Sequence, residues 1–341
     1  MGRKLGVLAT TLLSLIVIVT ILGAWVVPSL RKPARLENPT GWQIIRPPHD
    51  VLAFVIQNST VWAGGKDGVV GLDRLSGNIV TKLDSNPPLA FVRTLLVDRQ
   101  GILWIGHENG LTRRDRTASR TYTKNEGLPS NRVNALLETS DGKIWAGTDE
   151  GAAYNEKGEW RVITKADGLA ESMVNVMLQD SRGGIWFGSY VAPRGGISYL
   201  KDGRWQLFST SNGLPHNNIN AFFQDRNGDV WAGTGLLDRG GAVHFSLSES
   251  RWTVKEILTS REGLAGNLVR SIFQDRKGVF WFGSEFDGLT LFDAGRSRVL
   301  TVKDGLSDPE VRCIVQDEDG TLWIGTLNGV TRIAAGALDD L

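Results

Sequence analysis

A tryptophan followed by an apolar residue and a glycine recurs seven times along the chain. The copies are Trp62-Ala63-Gly64, Trp104-Ile105-Gly106, Trp145-Ala146-Gly147, Trp186-Phe187-Gly188, Trp231-Ala232-Gly233, Trp281-Phe282-Gly283 and Trp323-Ile324-Gly325. Their spacings of 42, 41, 41, 45, 50 and 42 residues fall in the range of four-stranded propeller blades. Such a repeat constrains the fold strongly, because each unit must bury its apolar face against a neighbouring unit.

The third copy shows how one unit is built. Residues 133–138 (VNALLE) form a short apolar β run, and residues 139–142 (TSDG) supply a turn whose glycine adopts positive φ. The tryptophan run follows, then a third strand, then a fourth strand around Trp160, and the unit closes on a Gly-Leu turn. Each unit therefore predicts a four-stranded antiparallel sheet, with its repeat tryptophan packed between blades.

The last unit lacks a fourth strand, since only AAGALDDL follows its third strand. A matching strand occurs at the other end of the repeat region, where residues 41–45 (GWQII) resemble residues 159–163 (EWRVI). A ring closed by this N-terminal strand leaves no unpaired sheet edge. The sequence predicts an all-β, seven-bladed β-propeller over residues 41–333, followed by a C-terminal tail at residues 334–341.

An apolar segment precedes the repeats. Leu5 to Val27 runs for 23 positions without a charge, which is enough for a helix to cross a hydrocarbon core of about 30 Å. Its length favours an uncleaved anchor over a signal peptide. The predicted order is a short tail at residues 1–4, one transmembrane helix at residues 5–27 and a tether at residues 28–40. Basic residues flank the helix equally, so charge alone does not set the topology.

Charge and motifs argue against several classes of function. With 38 Lys+Arg against 37 Asp+Glu, no overall field favours nucleic acid. A single cysteine, Cys313, cannot form an intrachain disulfide or a cysteine-based zinc site. The sequence contains no Gly-Lys-Ser/Thr phosphate loop, His-Glu-x-x-His pair or Gly-x-Ser-x-Gly elbow. We therefore expect no catalysis, no cofactor and no metal.

The repeat resembles a known family. Residues 125–155, NEGLPSNRVNALLETSDGKIWAGTDEGAAYN, are similar to the two-component regulator propeller repeat, and the likeness extends over about residues 41–333. In that family, such propellers form the extracytoplasmic sensor region of hybrid histidine kinases. The resemblance implies a propeller outside the cytoplasm, carried by a single-pass protein of the cytoplasmic membrane. Because the sequence shows no kinase or receiver region, we expect signalling through a partner, a histidine kinase or another membrane protein.

A polar residue opens the innermost strand of most units, just after the Gly-Leu turn. These residues are Arg93, Asn134, Asn175, Asn220, Arg270 and Arg312, with Leu52 at the same place in the first unit. Pseudo-symmetry predicts that they surround one mouth of the central channel, where three arginines would attract an anion. The alternative is that these residues are solvated strand ends that pair with local acids.

The loops between second and third strands lie on the same face and are unequal. Most have about three residues, such as the loop that begins at His107, but residues 189–194 and 234–239 form two adjacent longer ones. Adjacent long loops are typical of a binding wall, although neutral variation explains them equally well. The candidate binding residues on this face are Tyr190, Arg194, Asp238 and Arg239, together with His107 and His216.

The sequence thus favours a sensor module that binds a ligand or a partner without transforming it. The family resemblance suggests an oligosaccharide-type ligand. Two alternatives stay open. A lyase or hydrolase acting on an oligo- or polysaccharide needs a base beside an arginine, for which His107, His216 and Tyr190 are the candidates. A protein-protein scaffold for a membrane complex would dock its partner on the face that carries the long loops.

Overall fold

The computed structural model describes residues 38–83, 88–191 and 193–339. The predicted N-terminal tail, the predicted transmembrane helix and the tether up to residue 37 lie outside the described residues. In the part of the chain that the structure describes, no helix is long and apolar enough to cross a membrane.

The described repeat region contains seven sheets of four antiparallel strands each. The first strand of the chain, β1 (Trp42–Ile45), belongs to blade seven. Blade one consists of β2 (Val51–Gln57), β3 (Thr60–Gly65), β4 (Gly68–Asp73) and β5 (Ile79–Leu83). Blade two consists of β6 (Thr94–Val97), β7 (Leu103–His107), β8 (Gly110–Arg114) and β9 (Ser119–Tyr122). Blade three consists of β10 (Val133–Glu138), β11 (Ile144–Thr148), β12 (Gly151–Glu156) and β13 (Glu159–Ile163).

The remaining four blades follow the same order. Blade four consists of β14 (Val174–Gln179), β15 (Ile185–Ser189), β16 (Ile197–Lys201) and β17 (Arg204–Phe208). Blade five consists of β18 (Ile219–Gln224), β19 (Val230–Leu236), β20 (Arg239–Ser248) and β21 (Arg251–Leu258). Blade six consists of β22 (Val269–Gln274), β23 (Phe280–Ser284), β24 (Leu289–Asp293) and β25 (Arg296–Leu300). Blade seven adds β26 (Val311–Gln316), β27 (Leu322–Thr326) and β28 (Gly329–Ile333) to β1.

The first strand of each blade lies at the axis of the ring. Strands β2, β6, β10, β14, β18, β22 and β26 contact one another in succession, and β26 also contacts β2. In blade seven, β1 is the outer strand and pairs with β28, with Trp42 opposite Ile333 and Ile45 opposite Val330. The predicted all-β, seven-bladed propeller is confirmed.

Five connections between blades share one 3₁₀ turn. In the turn Lys124–Glu126, for example, Thr123 caps the backbone and the Glu126 carboxylate accepts the backbone N–H of Thr123. Gly127 ends the turn at a φ of 100°, a conformation that favours glycine. Leu128 is then buried in the core. The Gly-Leu signal in the sequence therefore marks the return of the chain to the axis.

A buried aspartate holds the repeat tryptophan in five blades. In each, the indole Nε1 donates to one carboxylate oxygen, and the other oxygen accepts two backbone N–H groups of the turn between the first and second strands. The pairs are Trp104 with Asp98, Trp186 with Asp180, Trp231 with Asp225, Trp281 with Asp275 and Trp323 with Asp317, at 2.7, 3.0, 3.1, 2.9 and 3.0 Å.

A glutamine at the end of four inner strands joins neighbouring blades. Its side-chain oxygen accepts a backbone N–H from the turn of the preceding blade, and its amide donates to a glycine carbonyl in its own turn. These residues are Gln179, Gln224, Gln274 and Gln316. The turn that anchors the tryptophan therefore also donates a hydrogen bond to the next blade.

Blade three lacks the aspartate. Thr139 occupies its position, and the Thr139 hydroxyl donates to Asp141 at 2.6 Å. As a result, the buried indole Nε1 of Trp145 has no hydrogen-bond partner among the described residues. A buried donor without an acceptor costs about 1–3 kcal/mol.

Replacing Thr139 with aspartate should therefore stabilise the protein. The new carboxylate would accept the Trp145 indole N–H, as its counterparts do in five blades, and we expect a gain of about 1–2 kcal/mol in unfolding free energy. Urea unfolding of the full chain measures this gain. Thr139→Ala is the matched control, since it removes the hydroxyl without supplying an acceptor. A Thr139→Asp protein no more stable than the parent would contradict the argument.

Candidate functional site

One mouth of the central channel opens into a cavity of about 410 Å³. All seven of the strand-start residues named above line it, which are Leu52, Arg93, Asn134, Asn175, Asn220, Arg270 and Arg312. The structure therefore brings together the ring that pseudo-symmetry predicts.

A β-bulge turns six of these side chains towards the channel. In blade three, Val133 and Ala135 pair with neighbouring residues of β11, and Asn134 is the extra residue between them. The same shift in register occurs at Leu52, Asn175, Asn220, Arg270 and Arg312. In blade two, Arg93 directly precedes β6 and its N–H donates to the carbonyl of Gly106. A bulge re-aims one side chain while the flanking residues stay in the sheet, and here it points the polar residue into the cavity.

The three asparagines of the ring bind blade to blade. Each donates from its side-chain amide to the carbonyl oxygen of the first residue in the next inner strand. The pairs are Asn134 with Val174, Asn175 with Ile219, and Asn220 with Val269, at 3.4, 2.9 and 3.2 Å. The asparagines therefore hold the ring together while they line the cavity.

Each arginine of the ring has an acidic partner. The nitrogen-oxygen distance is 2.7 Å between Arg93 and Glu108 and 2.8 Å between Arg270 and Glu285. Arg312 lies between two acids, 2.6 Å from Asp50 and 2.9 Å from Glu310. The three arginines therefore pair with local acids, which is the alternative to an anion site in the sequence analysis.

A fourth arginine, Arg132, also lines the cavity, although it is not among the residues predicted from the sequence. Arg132 lies 3.4 Å from Glu108 and 3.5 Å from Asp149. The four arginines thus meet five carboxylates, and the mouth carries no excess of positive charge when all are ionised. Burial raises the pKa of Glu310 above its ordinary value, against the opposing effect of Arg312. This balance does not favour an anion.

Three further residues that line the cavity each precede a ring residue by two positions in the sequence. Arg132, Met173 and Glu310 line the cavity together with Asn134, Asn175 and Arg312. The sequence carried a usable signal for them. Residues i and i+2 of an extended chain point to the same face, so each ring residue implies a second residue beside it.

Tyr190 is the aromatic member of the cavity wall. It follows β15 and lines the cavity, and the Arg270 guanidinium carbon lies 5.8 Å from the centre of its ring. The cation stacks on an aromatic face and at the same time pairs with Glu285. The cavity therefore offers donors, acceptors and one flat apolar surface.

The other candidates lie away from the cavity. His107 is fully buried, accepts the backbone N–H of Asn109 and hydrogen-bonds to Thr112. His216 accepts the backbone N–H of Asn218, and burial lowers its pKa. Arg194 is exposed and pairs with Glu171 at 3.3 Å.

The predicted long loop of blade five is a hairpin instead. Strands β19 and β20 continue to pair as far as Leu236 opposite Arg239, so only Leu237 and Asp238 form the turn. Gly235 pairs with Gly240 inside this ladder. The glycines read as a loop in the sequence because they carry no side chain to show the alternation of a strand. Asp238 and Arg239 are thus at a hairpin tip and do not line the cavity.

The family comparison matches the repeats that define the blades. A family model described as two component regulator propeller matches residues 86–109, 127–150, 168–191, 213–235, 263–286 and 305–328. Five of the six matches begin at the glycine of a Gly-Leu turn. A comparison with curated proteins gives no match.

Several solved structures share the fold at low sequence identity. The extracellular domain of the putative hybrid two component system BT3049 from B. thetaiotaomicron has a TM-score of 0.70 and 19% identity, over 86% of this chain and 42% of that one. Virginiamycin B lyase from Staphylococcus aureus has a TM-score of 0.67 and 14% identity, over 86% of this chain and 98% of that one. PorZ of Porphyromonas gingivalis, a component of the type-IX secretion system, has a TM-score of 0.67 and 16% identity, over 85% and 47%.

These identities show the fold alone, since the same fold occurs in a domain of a two component system, in a lyase and in a secretion-system component. The chain also spans less than half the length of the BT3049 domain and of PorZ. The repeats themselves are more specific, because the six matches follow the turn, inner strand and tryptophan strand of successive blades. This chain belongs to the two-component regulator propeller family.

Proposed function

We propose that the chain is a sensor-type propeller that binds a neutral, hydroxyl-rich ligand, such as an oligosaccharide, at the channel mouth without transforming it. The observation that carries this proposal is the composition of the cavity. Paired arginines and carboxylates supply donors and acceptors in balance, and the amides of Asn134 and Asn175 add both kinds of group.

A sugar hydroxyl both donates and accepts hydrogen bonds, so it can use each of these groups without adding a charge that the cavity would have to neutralise. The ring of Tyr190 offers a flat face for the C–H side of a sugar. An anion, by contrast, would displace one of the carboxylates from its arginine, and the acid would then be left unpaired.

Tyr190→Ala should weaken ligand binding. Tyr190 contacts Arg270 through its ring but forms no ion pair itself, so its removal takes away contact surface and leaves the pair of Arg270 with Glu285 in place. We expect binding of a neutral oligosaccharide to fall roughly 3- to 10-fold, on the scale of one lost aromatic contact. An array of neutral and uronate oligosaccharides identifies the ligand, and isothermal titration calorimetry then measures its affinity for the parent and the variant.

Phe286→Ala is the matched control for this experiment. Phe286 is an exposed aromatic on a loop of the same face but does not line the cavity. Equal losses in the two variants would mean that the ligand binds elsewhere on this face. Binding of uronates alone would return the mouth to an anion site, and no saturable binding of any saccharide would contradict the proposal.

The enzyme alternative has less support in the geometry. Among the described residues, neither His107 nor His216 lines the cavity, so Tyr190 beside Arg270 is what remains of the candidates for a base. The match to virginiamycin B lyase rests on the fold. We therefore assign His107 to the core, which has a consequence for stability in acid.

Protonation of His107 should destabilise the fold. Burial lowers its pKa from 6.5 to about 4, so the unfolded chain takes up the proton more readily than the folded one. The neutral ring therefore contributes to stability above about pH 6.5, and about 3 kcal/mol of this contribution is lost as the pH falls to about 4.

Thermal melting of the parent and of His107→Gln between pH 7 and pH 4 measures this loss. The parent should lose more stability in acid than the variant, whatever the absolute difference at pH 7. Parallel curves for the two proteins would show that His107 is not the buried neutral group described here.

We further propose that residues 5–27 anchor the protein in the cytoplasmic membrane with the propeller outside the cytoplasm. Family membership and the apolar segment support this arrangement. The signal would pass to a protein partner, such as a histidine kinase or another membrane protein. A scaffold for a membrane complex is the second candidate, and it would dock its partner on the face of the channel mouth, which carries the loops between second and third strands.

A single introduced cysteine tests the topology. Ser140 is exposed in the turn of blade three, so Ser140→Cys should react with a membrane-impermeant maleimide in intact spheroplasts. The native thiol of Cys313 provides a low background, because burial raises its pKa. The parent protein is the control. Labelling only after lysis would place the propeller in the cytoplasm.

A further inference from the structure

A second opening lies at the other end of the ring from the channel mouth. It is a groove of about 1100 Å³ between the outer strands of blades four and five. Its walls include the turn before β15, the hairpin of β16 and β17, and the hairpin of β20 and β21. Because successive strands are antiparallel, these turns stand at the end opposite to the start of β14.

Four cations border this groove against one acid. They are Arg182, Lys201, Arg204 and Arg251, and the acid is Asp202. In contrast to the arginines of the mouth, none of these four side chains has an ion pair or a side-chain hydrogen bond among the described residues. The groove therefore combines a positive surface with no internal partner, and exposed Leu207 adds an apolar patch to it.

The equivalent groove of blade six shows what can cover such a surface. Lys277 corresponds to Arg182, since each is the second residue after the aspartate of its turn. Arg296 corresponds to Arg204, since each opens the last strand of its blade. The open volume at blade six is about 320 Å³, much less than at blade four.

The chain's own C-terminal turn lies in the groove of blade six, where Leu338 is one of the lining residues. The turn Ala335–Leu338 follows β28, and Leu338 packs against the cluster that contains Trp281. The next residue, Asp339, forms an ion pair with Lys277. An apolar residue followed by an acid thus lies in the groove of blade six, where the acid pairs with one of the lining cations.

We propose that the groove of blade four binds an acidic segment of a partner protein, in which an apolar residue precedes one or more acidic residues. The unpaired cations select the acids, as Lys277 does for Asp339. Strand β17 is the outer strand of its sheet, so its free backbone edge lets the segment lie extended along it. This surface is independent of the ligand at the channel mouth.

A labelled peptide tests the proposal. The probe is fluorescein-labelled Ala-Ala-Gly-Ala-Leu-Asp-Asp-Leu, the sequence of residues 334–341, titrated with the full chain in detergent and followed by fluorescence anisotropy. We expect saturable binding. The double substitution Arg182→Gln and Arg204→Gln should weaken it about tenfold, which corresponds to about 1.4 kcal/mol. A probe with both aspartates replaced by asparagine should bind the parent protein no more tightly than the original probe binds the doubly substituted protein.

Arg116→Gln is the matched control, because Arg116 is an exposed arginine in the outer hairpin of blade two, without an ion pair among the described residues. It should leave peptide binding unchanged, as should Tyr190→Ala at the mouth. Unchanged melting temperatures would show that the substitutions act on the surface alone.

Three results would overturn the proposal. The first is the absence of saturable peptide binding. The second is an equal loss of peptide affinity in Arg116→Gln, and the third is a peptide affinity that the double substitution leaves unchanged. Binding of dextran sulfate in place of the peptide, with the same dependence on Arg182 and Arg204, would assign the groove to an anionic polysaccharide instead of a protein segment.

Discussion

The hydrogen bond from the repeat tryptophan to a buried aspartate holds this propeller together. One carboxylate closes the turn through backbone N–H groups and fixes the indole through its second oxygen, as in Asp275 with Trp281. The same turn also donates a backbone N–H to the glutamine of the next blade, as Arg276 does to Gln316. In these five blades, local turn geometry, blade core and blade-to-blade contact therefore depend on one acidic residue. Since the carboxylate is paired with several donors, its burial does not leave an uncompensated charge.

The end of each blade opposite to these turns has a less regular structure. Six of the seven inner strands carry a bulge at the channel mouth, and the extra residue is the one that lines the cavity. Asn175 illustrates how this residue serves two roles, since its amide binds the carbonyl of Ile219 in the next blade. The cavity wall is thus part of the ring's own bonding, and a ligand there would contact groups that are already positioned. Such preorganisation lowers the entropic cost of binding.

The sequence predicted the ring because repetition multiplies a weak local signal. A single Trp-x-Gly triplet predicts little, but seven copies at a blade-like spacing define both the fold and the symmetry that gathers residues such as Asn134 and Arg270 at one mouth. The acids of the mouth follow the repeat in part, since Glu285 lies as far after Arg270 in the sequence as Glu108 lies after Arg93. Arg312 departs from this spacing, and its partners Asp50 and Glu310 could not be assigned from the repeat. The prediction of a long loop in blade five is wrong for a different reason, because Gly235 and Gly240 contribute backbone pairing and no side-chain pattern.

The two ends of the propeller differ in where their charges are satisfied. At the mouth, Arg93 and Arg312 are held by acids of the same chain, so a charged ligand would have to break these pairs before it could bind. At the opposite end, Arg182 has no such partner among the described residues, so an acidic group that approaches it loses little solvation and breaks none of the described pairs. Identical side chains therefore serve different purposes according to their neighbours. Counting arginines in the sequence therefore does not locate an anion site, because the acids beside each arginine decide whether its charge is available.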